Sequence, residues 1–177
     1  KKIISIALAL LMVAVMLPVM AMAEGANVAK IDNTEYATLK DAFDAVKDGE
    51  TIVVMKNCSG DGIVVNSGKS FTVDFNNCTY DIDGTTVGST GTETNGFQLL
   101  KDSTITFKNG KLTSTKAKIL IQNYSNLTLD NMVLNTQKTG FAYVMSNNNG
   151  NVVIKDTTIH AADGKVAFDV CRYADYT

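Results

Sequence analysis

The side chains able to do chemistry are few and scattered. Three cysteines stand at 58, 78 and 171, His160 is the one histidine, and Arg172 is the one arginine among 16 basic residues. Asp81 and Asp83 stand two apart before a polar Gly/Thr-rich stretch, with Lys111 further on. Paired carboxylates beside a lysine could move protons or hold a hard cation. The thiols are too widely spaced for a zinc site, and His160 has no neighbouring ligand. There is no Gly-x-Ser-x-Gly, no Gly-rich phosphate loop and no His/Cys/carboxylate triad. These residues alone define neither a catalytic centre nor a metal or cofactor site, and the question of an enzyme stays open.

The elements that position those side chains follow from composition and pattern. A net charge of −2 gives no basic face, which excludes a nucleic-acid partner. Asn occurs 16 times and Thr 20 times, a strand-and-turn composition. Lys1 and Lys2 precede an uncharged run, Ile3–Met20, broken by Pro18 and closed by Ala21-Met22-Ala23. This is the three-part pattern of a secretory signal peptide over residues 1–23. The competing reading is a retained membrane span. Removing the segment takes away two lysines and leaves a charge of −4. The expected location is secreted or at the cell surface, with no membrane contact after cleavage.

Residues 24–50 read as an N-terminal cap. Val28–Ile31 forms a short strand. Leu39, Ala42, Phe43 and Val46 then fall on one helical face, predicting a helix over 39–47. Thr38 and Asp41 have capping-box spacing, and Gly49 supplies the stop.

Residues 51–177 repeat. Val53–Cys58, Val73–Cys78, Ile105–Gly110, Leu127–Met132 and Val152–Thr157 each read apolar, variable, apolar, polar, Asn/Asp, then a small or medium residue. The Asn/Asp positions are Asn57, Asn77, Asn109, Asn131 and Asp156, separated by 20, 32, 22 and 25 residues. A second strand set interleaves: Gly62–Val65, Gly96–Leu100, Lys118–Gln122, Phe141–Met145 and Lys165–Val170. No single repeat can bury its apolar row, so the repeats must stack. The expected fold is all-β, a parallel β-helix of about five coils behind a short amphipathic capping helix. Stacked Asn/Asp positions would form a structural ladder, because Asn tolerates left-handed backbone and bonds its neighbours. The alignment yields three outer columns: Asp74, Thr106, Thr128, Val153; then Thr79, Lys111, Val133, Thr158; then Asp81, Thr113, Asn135, His160.

The repeat resembles the right-handed parallel β-helix, or pectate-lyase-like, superfamily. The helix running into Asp48-Gly49-Glu50-Thr51-Ile52 is similar to that family's N-terminal cap. Val28-Ala29-Lys30-Ile31 with Glu35-Tyr36-Ala37-Thr38-Leu39 resembles the openings of bacterial secreted and surface proteins. The resemblance implies the right-handed fold. A lyase of this family would gather acidic calcium ligands and a basic residue on one outer face, and no column does so.

The alignment sets Cys58 and Cys78 in consecutive coils, about 4.8 Å apart. Two readings fit: a disulfide, or two buried thiols acting as small apolar residues. Residues 83–96 hold about ten more residues than the neighbouring repeats need, and are expected to project. A projecting loop on a rigid scaffold is a candidate binding site, here with Asp81, Asp83, Thr92, Glu93 and Asn95. Tyr124 and Tyr143 are candidate sugar-stacking residues. The expected function is adhesive or structural, on polysaccharide or cell-surface glycan, with further coils beyond Thr177. The alternatives are the N-terminal part of a polysaccharide lyase or glycoside hydrolase, and a carbohydrate-binding accessory domain.

Overall fold

The computed structural model describes residues 27–136 and 142–172. The signal-like segment and Phe141 lie outside them. The chain opens with strands β1 (Ala29–Ile31) and β2 (Thr34–Tyr36), paired antiparallel, and helix α1 (Leu39–Ala45). Thr38 is the N-cap, its hydroxyl oxygen accepting the Asp41 amide at 3.0 Å. Leu39, Ala42 and Phe43 are the buried face.

Five coils follow. The first is β3 (Thr51–Val54), β4 (Cys58–Gly60) and β5 (Ile63–Val65). The second is β6 (Ser70–Asp74), β7 (Thr79–Ile82) and β8 (Asn95–Leu99). In the third and fourth coils the first two strands run together, as β9 (Thr104–Ser114) and β11 (Asn126–Thr136), followed by β10 (Ile119–Asn123) and β12 (Tyr143–Asn148). The fifth is β13 (Asn151–Lys155), β14 (Thr158–His160) and β15 (Val166–Cys171). Like strands stack in parallel from coil to coil and build two sheets. One is ordered β13-β11-β9-β6-β3-β1-β2, with β4, β7 and β14 beside it, and the other β15-β12-β10-β8-β5. The chain is a β-solenoid of about five turns.

The inward rows explain the repeat. Ile52, Val73, Phe107, Leu129 and Ile154 share one register column, and Tyr80, Leu112, Leu134 and Ile159 another. Phe43 of α1 meets Phe71, Phe97 and Phe107 at ring-centroid distances of 5.5, 5.8 and 6.3 Å, so the helix joins the same core. Gly110 is needed where coils two and three touch, because a β-carbon there would lie 2.2 Å from the Phe75 Cβ.

The first coil departs from the expected alignment. Ile52 pairs with Val73 and Cys58 with Tyr80, so the register offset is 21 residues before the bend and 22 after it, not 20. Between the second and third coils the offset is 34 residues before the bend and 32 after it, so Asp74 leaves the Thr106 column. It stands in line with Val53, Lys108, Asp130 and Lys155, and Thr72 takes its place beside Thr106. The other two outer columns stand as aligned.

Candidate functional site

The bends carry the asparagines. Asn77, Asn109, Asn131 and Asp156 adopt φ of 62, 57, 54 and 44°, the left-handed conformation that turns the strand without a glycine. Asn131 donates its side-chain amide to Asn109 Oδ1 at 3.1 Å, and Asn109 donates to Asp74 Oδ1 at 3.2 Å. The side-chain chain therefore ends on Asp74 rather than on Asn77, which instead gives its backbone amide to the Asn109 carbonyl at 2.7 Å. Asn57 has no positive φ; its side-chain oxygen accepts the Thr79 amide at 2.8 Å. Burial alone would raise the Asp74 carboxyl. The Asn76 amide, the Asn109 side chain and Lys108, 3.3 Å away, outweigh it and hold the group below the usual carboxylate range.

A second amide ladder is buried and carries no sign in the Asn/Asp repeat. Asn123 and Asn147 are register partners in the other sheet, on the inward column of Val65 and Leu99. Asn123 donates to Asn147 Oδ1 at 2.7 Å and accepts both the Ser125 amide and the Ser125 hydroxyl. The readable signal was the 24-residue spacing at the end of the second strand set.

The cysteines are free thiols. Cys58 is in register with Tyr80 rather than with Cys78. Burial, helped by the nearby Cys78 and opposed by Lys56, pushes the Cys58 thiol up to about 11, and burial raises Cys78 as well. Cys171 ends β15 beside Asn148.

Among the loop residues, the fold gathers some and separates others. Asp81 is the register neighbour of Ser59 and Thr113, on the outer face. Burial and the charge of Asp83 raise the Asp81 carboxyl, and Lys111 partly offsets them. Its Oδ1 and the Thr113 hydroxyl are buried without a hydrogen-bond partner, and Thr113 as a whole is only 6% exposed. Glu93 caps the Gly91 amide and Thr92 bonds the Ser89 carbonyl, both within the loop. Asn95 is elsewhere: buried in β8, it donates to Gln122 at 2.8 Å. Asp81, Asp83 and Lys111 thus form one group, and Asn95 is a structural amide. Among the described residues no three His, Cys, Asp or Glu side chains are placed to hold a metal ion.

A concavity lies on another corner. Three equivalent turns lie one above another: Lys101-Asp102 after β8, Tyr124-Ser125-Asn126 after β10, and Asn149-Gly150-Asn151 after β12. They line a groove of about 240 Å³. Asp102 and Asn149 hold φ of 62 and 59°, which turns the chain sharply at each level. Gly150 permits the third turn, since a β-carbon there would fall 2.5 Å from Asn123 Nδ2. Asn148 donates to the Tyr124 hydroxyl at 3.3 Å, and Asn151 to Asn126 Oδ1 at 2.8 Å. The result is a polar trough with one half-buried aromatic ring in its wall. Tyr143 lies in β12, in register with Ile119 and away from this corner.

No known family model, curated protein or solved structure matches this chain.

Proposed function

We propose that this chain is an exported, right-handed parallel β-helix module, closed by α1 at its first coil, that works at or outside the cell surface by holding carbohydrate. The stacked-turn groove carries the reading. A sugar offers ring C–H faces and many hydroxyls that both donate and accept. A tyrosine ring beside amides, a carboxylate and an ammonium is matched to such a ligand. Spacing the polar groups one coil apart, about 4.8 Å, suits an extended glycan running along the solenoid axis. The rigid ladders beneath keep the turns fixed, so little ordering is lost on binding.

A glycan array followed by titration calorimetry tests the reading. The chain should bind a defined glycan class, and Tyr124→Ala should weaken binding by about tenfold or more while far-UV circular dichroism stays unchanged. Asn126→Ala should weaken it less. Absence of binding across a broad array, or binding indifferent to Tyr124→Ala, refutes the groove as the site. Release of unsaturated or hydrolysed sugars, abolished by Asp81→Asn, would instead favour an enzyme.

A further inference from the structure

The tyrosine ring in the groove wall is tied to the second sheet by three side chains. Asn148 Nδ2 stands 3.3 Å from the Tyr124 hydroxyl oxygen. Asn148 Oδ1 stands 2.8 Å from Ser146 Oγ, and Asp169 Oδ2 stands 3.1 Å from the same atom. Ser146 and Asn148 are 3 and 2% exposed, so their polar atoms must be satisfied within the protein. Ser146 and Asp169 are register neighbours on β12 and β15, which fixes their approach. The donor count is short by one. A serine hydroxyl has one proton, and both oxygens set against it are acceptors. The Asp169 carboxylate can only accept, but the Asn148 amide can be turned over without changing its shape. Once it is reversed, every contact has one donor and one acceptor. Ser146 then gives its proton to Asp169, Asn148 donates to Ser146 Oγ, and the Tyr124 hydroxyl donates to the Asn148 oxygen.

We propose that this relay is the native arrangement, and that Asp169, through Ser146 and Asn148, sets Tyr124 as a hydrogen-bond acceptor toward the groove. Asp169 is a positioning residue, because it does not line the groove and reaches it only along the relay. A hydroxyl that gives its proton inward offers a ligand its lone pairs alone. The neighbouring Asn126 is set the opposite way. Its oxygen accepts from Asn151 at 2.8 Å, and its own N–H groups are left to donate. An acceptor beside a donor selects a ligand that donates at the first and accepts at the second. This last step rests on the groove being a glycan site. The ligand is then a sugar with an unsubstituted hydroxyl over Tyr124, since an ether oxygen there has no proton to give.

Nuclear magnetic resonance of the free chain tests the relay without a ligand. The Asn148 side-chain N–H protons should show stronger Overhauser contacts to the Ser146 β-protons than to the Tyr124 ring. The reverse order overturns the proposal. Asp169→Asn keeps an acceptor oxygen and should leave the Tyr124 Cζ resonance where it is. Asp169→Ala frees the Ser146 proton for Asn148, lets the amide turn back and should shift that resonance. Ser146→Ala should shift it in the same way and serves if Asp169→Ala does not fold. A Tyr124 resonance that ignores both alanine variants, or moves equally with Asp169→Asn, also overturns the relay. On an array of glycans in free and O-methylated forms, Asp169→Ala should weaken the strongest binding by about tenfold and Asp169→Asn by less than about threefold. Equal binding of a glycan with all its hydroxyls methylated would refute the acceptor role of Tyr124. A chain that binds no glycan at all sinks the groove reading alone, and the resonances still decide the relay.

Discussion

The two ends of the solenoid use the same repeat and meet opposite fates. At the first coil, α1 presents Leu39, Ala42 and Phe43, and the inward row beneath it is fully buried. Among the described residues nothing is stacked on the fifth coil, where Ile154 and Val170 are 42 and 70% exposed. Local sequence is equally strand-like at both. The difference lies in what is stacked above, which is how stability is distributed in a repeat protein.

Phe107→Ala should cut deepest. The ring is fully buried and touches Phe43, Phe75 and Phe97, so urea unfolding should show a loss of about 3–5 kcal/mol. Ile154→Ala, in the same column but on the bare coil, should cost about 1 kcal/mol or less. Equal losses would erase the contrast between the ends. Asn123→Ala comes next, at about 2–3 kcal/mol, because it strips partners from Asn147 and Ser125 inside the core. Asn131→Ala, on the exposed ladder, should cost a few tenths.

Native-state hydrogen exchange should be protected in β6, β9 and β11 and fastest in β13 to β15.

The smallest effects come from two carboxylates with opposite signs. Asp74 is held below the ordinary range, so its contribution is present above about pH 4 and lost as pH falls through its own value. Asp81 is raised, so its contribution is full below about pH 4 and lost as pH rises through its own value. At neutral pH, Asp74→Asn should destabilise and Asp81→Asn should stabilise, each by under ~1 kcal/mol. The two differences should shrink on acidification toward pH 3.

The repeat was legible because it rests on periodicity. Alternating apolar residues fixed both strand sets, and Asn109, Asn131 and Asp156 sit at left-handed bends where their chemistry favours them. The first coil was misread because Asn57-Cys58 and Asn77-Cys78 are identical pairs. Matching letters gave an offset of 20, which would set outward Val53 against inward Val73; the chain obeys inward and outward parity and pairs Ile52 with Val73 instead. The Asn123–Asn147 ladder was hidden because its bonds cross between coils, at residues that read locally as turn-formers. The groove was illegible for the same reason: its three turns are 22 to 25 residues apart and become one surface only when stacked.

The hairpin and helix that precede the first coil are also the first described residues of the chain. A polypeptide emerges N-terminus first. These elements therefore exist before the coils, and each later strand meets an edge already in register. The order of synthesis and the order of stacking coincide, so at every moment one growing face is exposed, and it is always the newest.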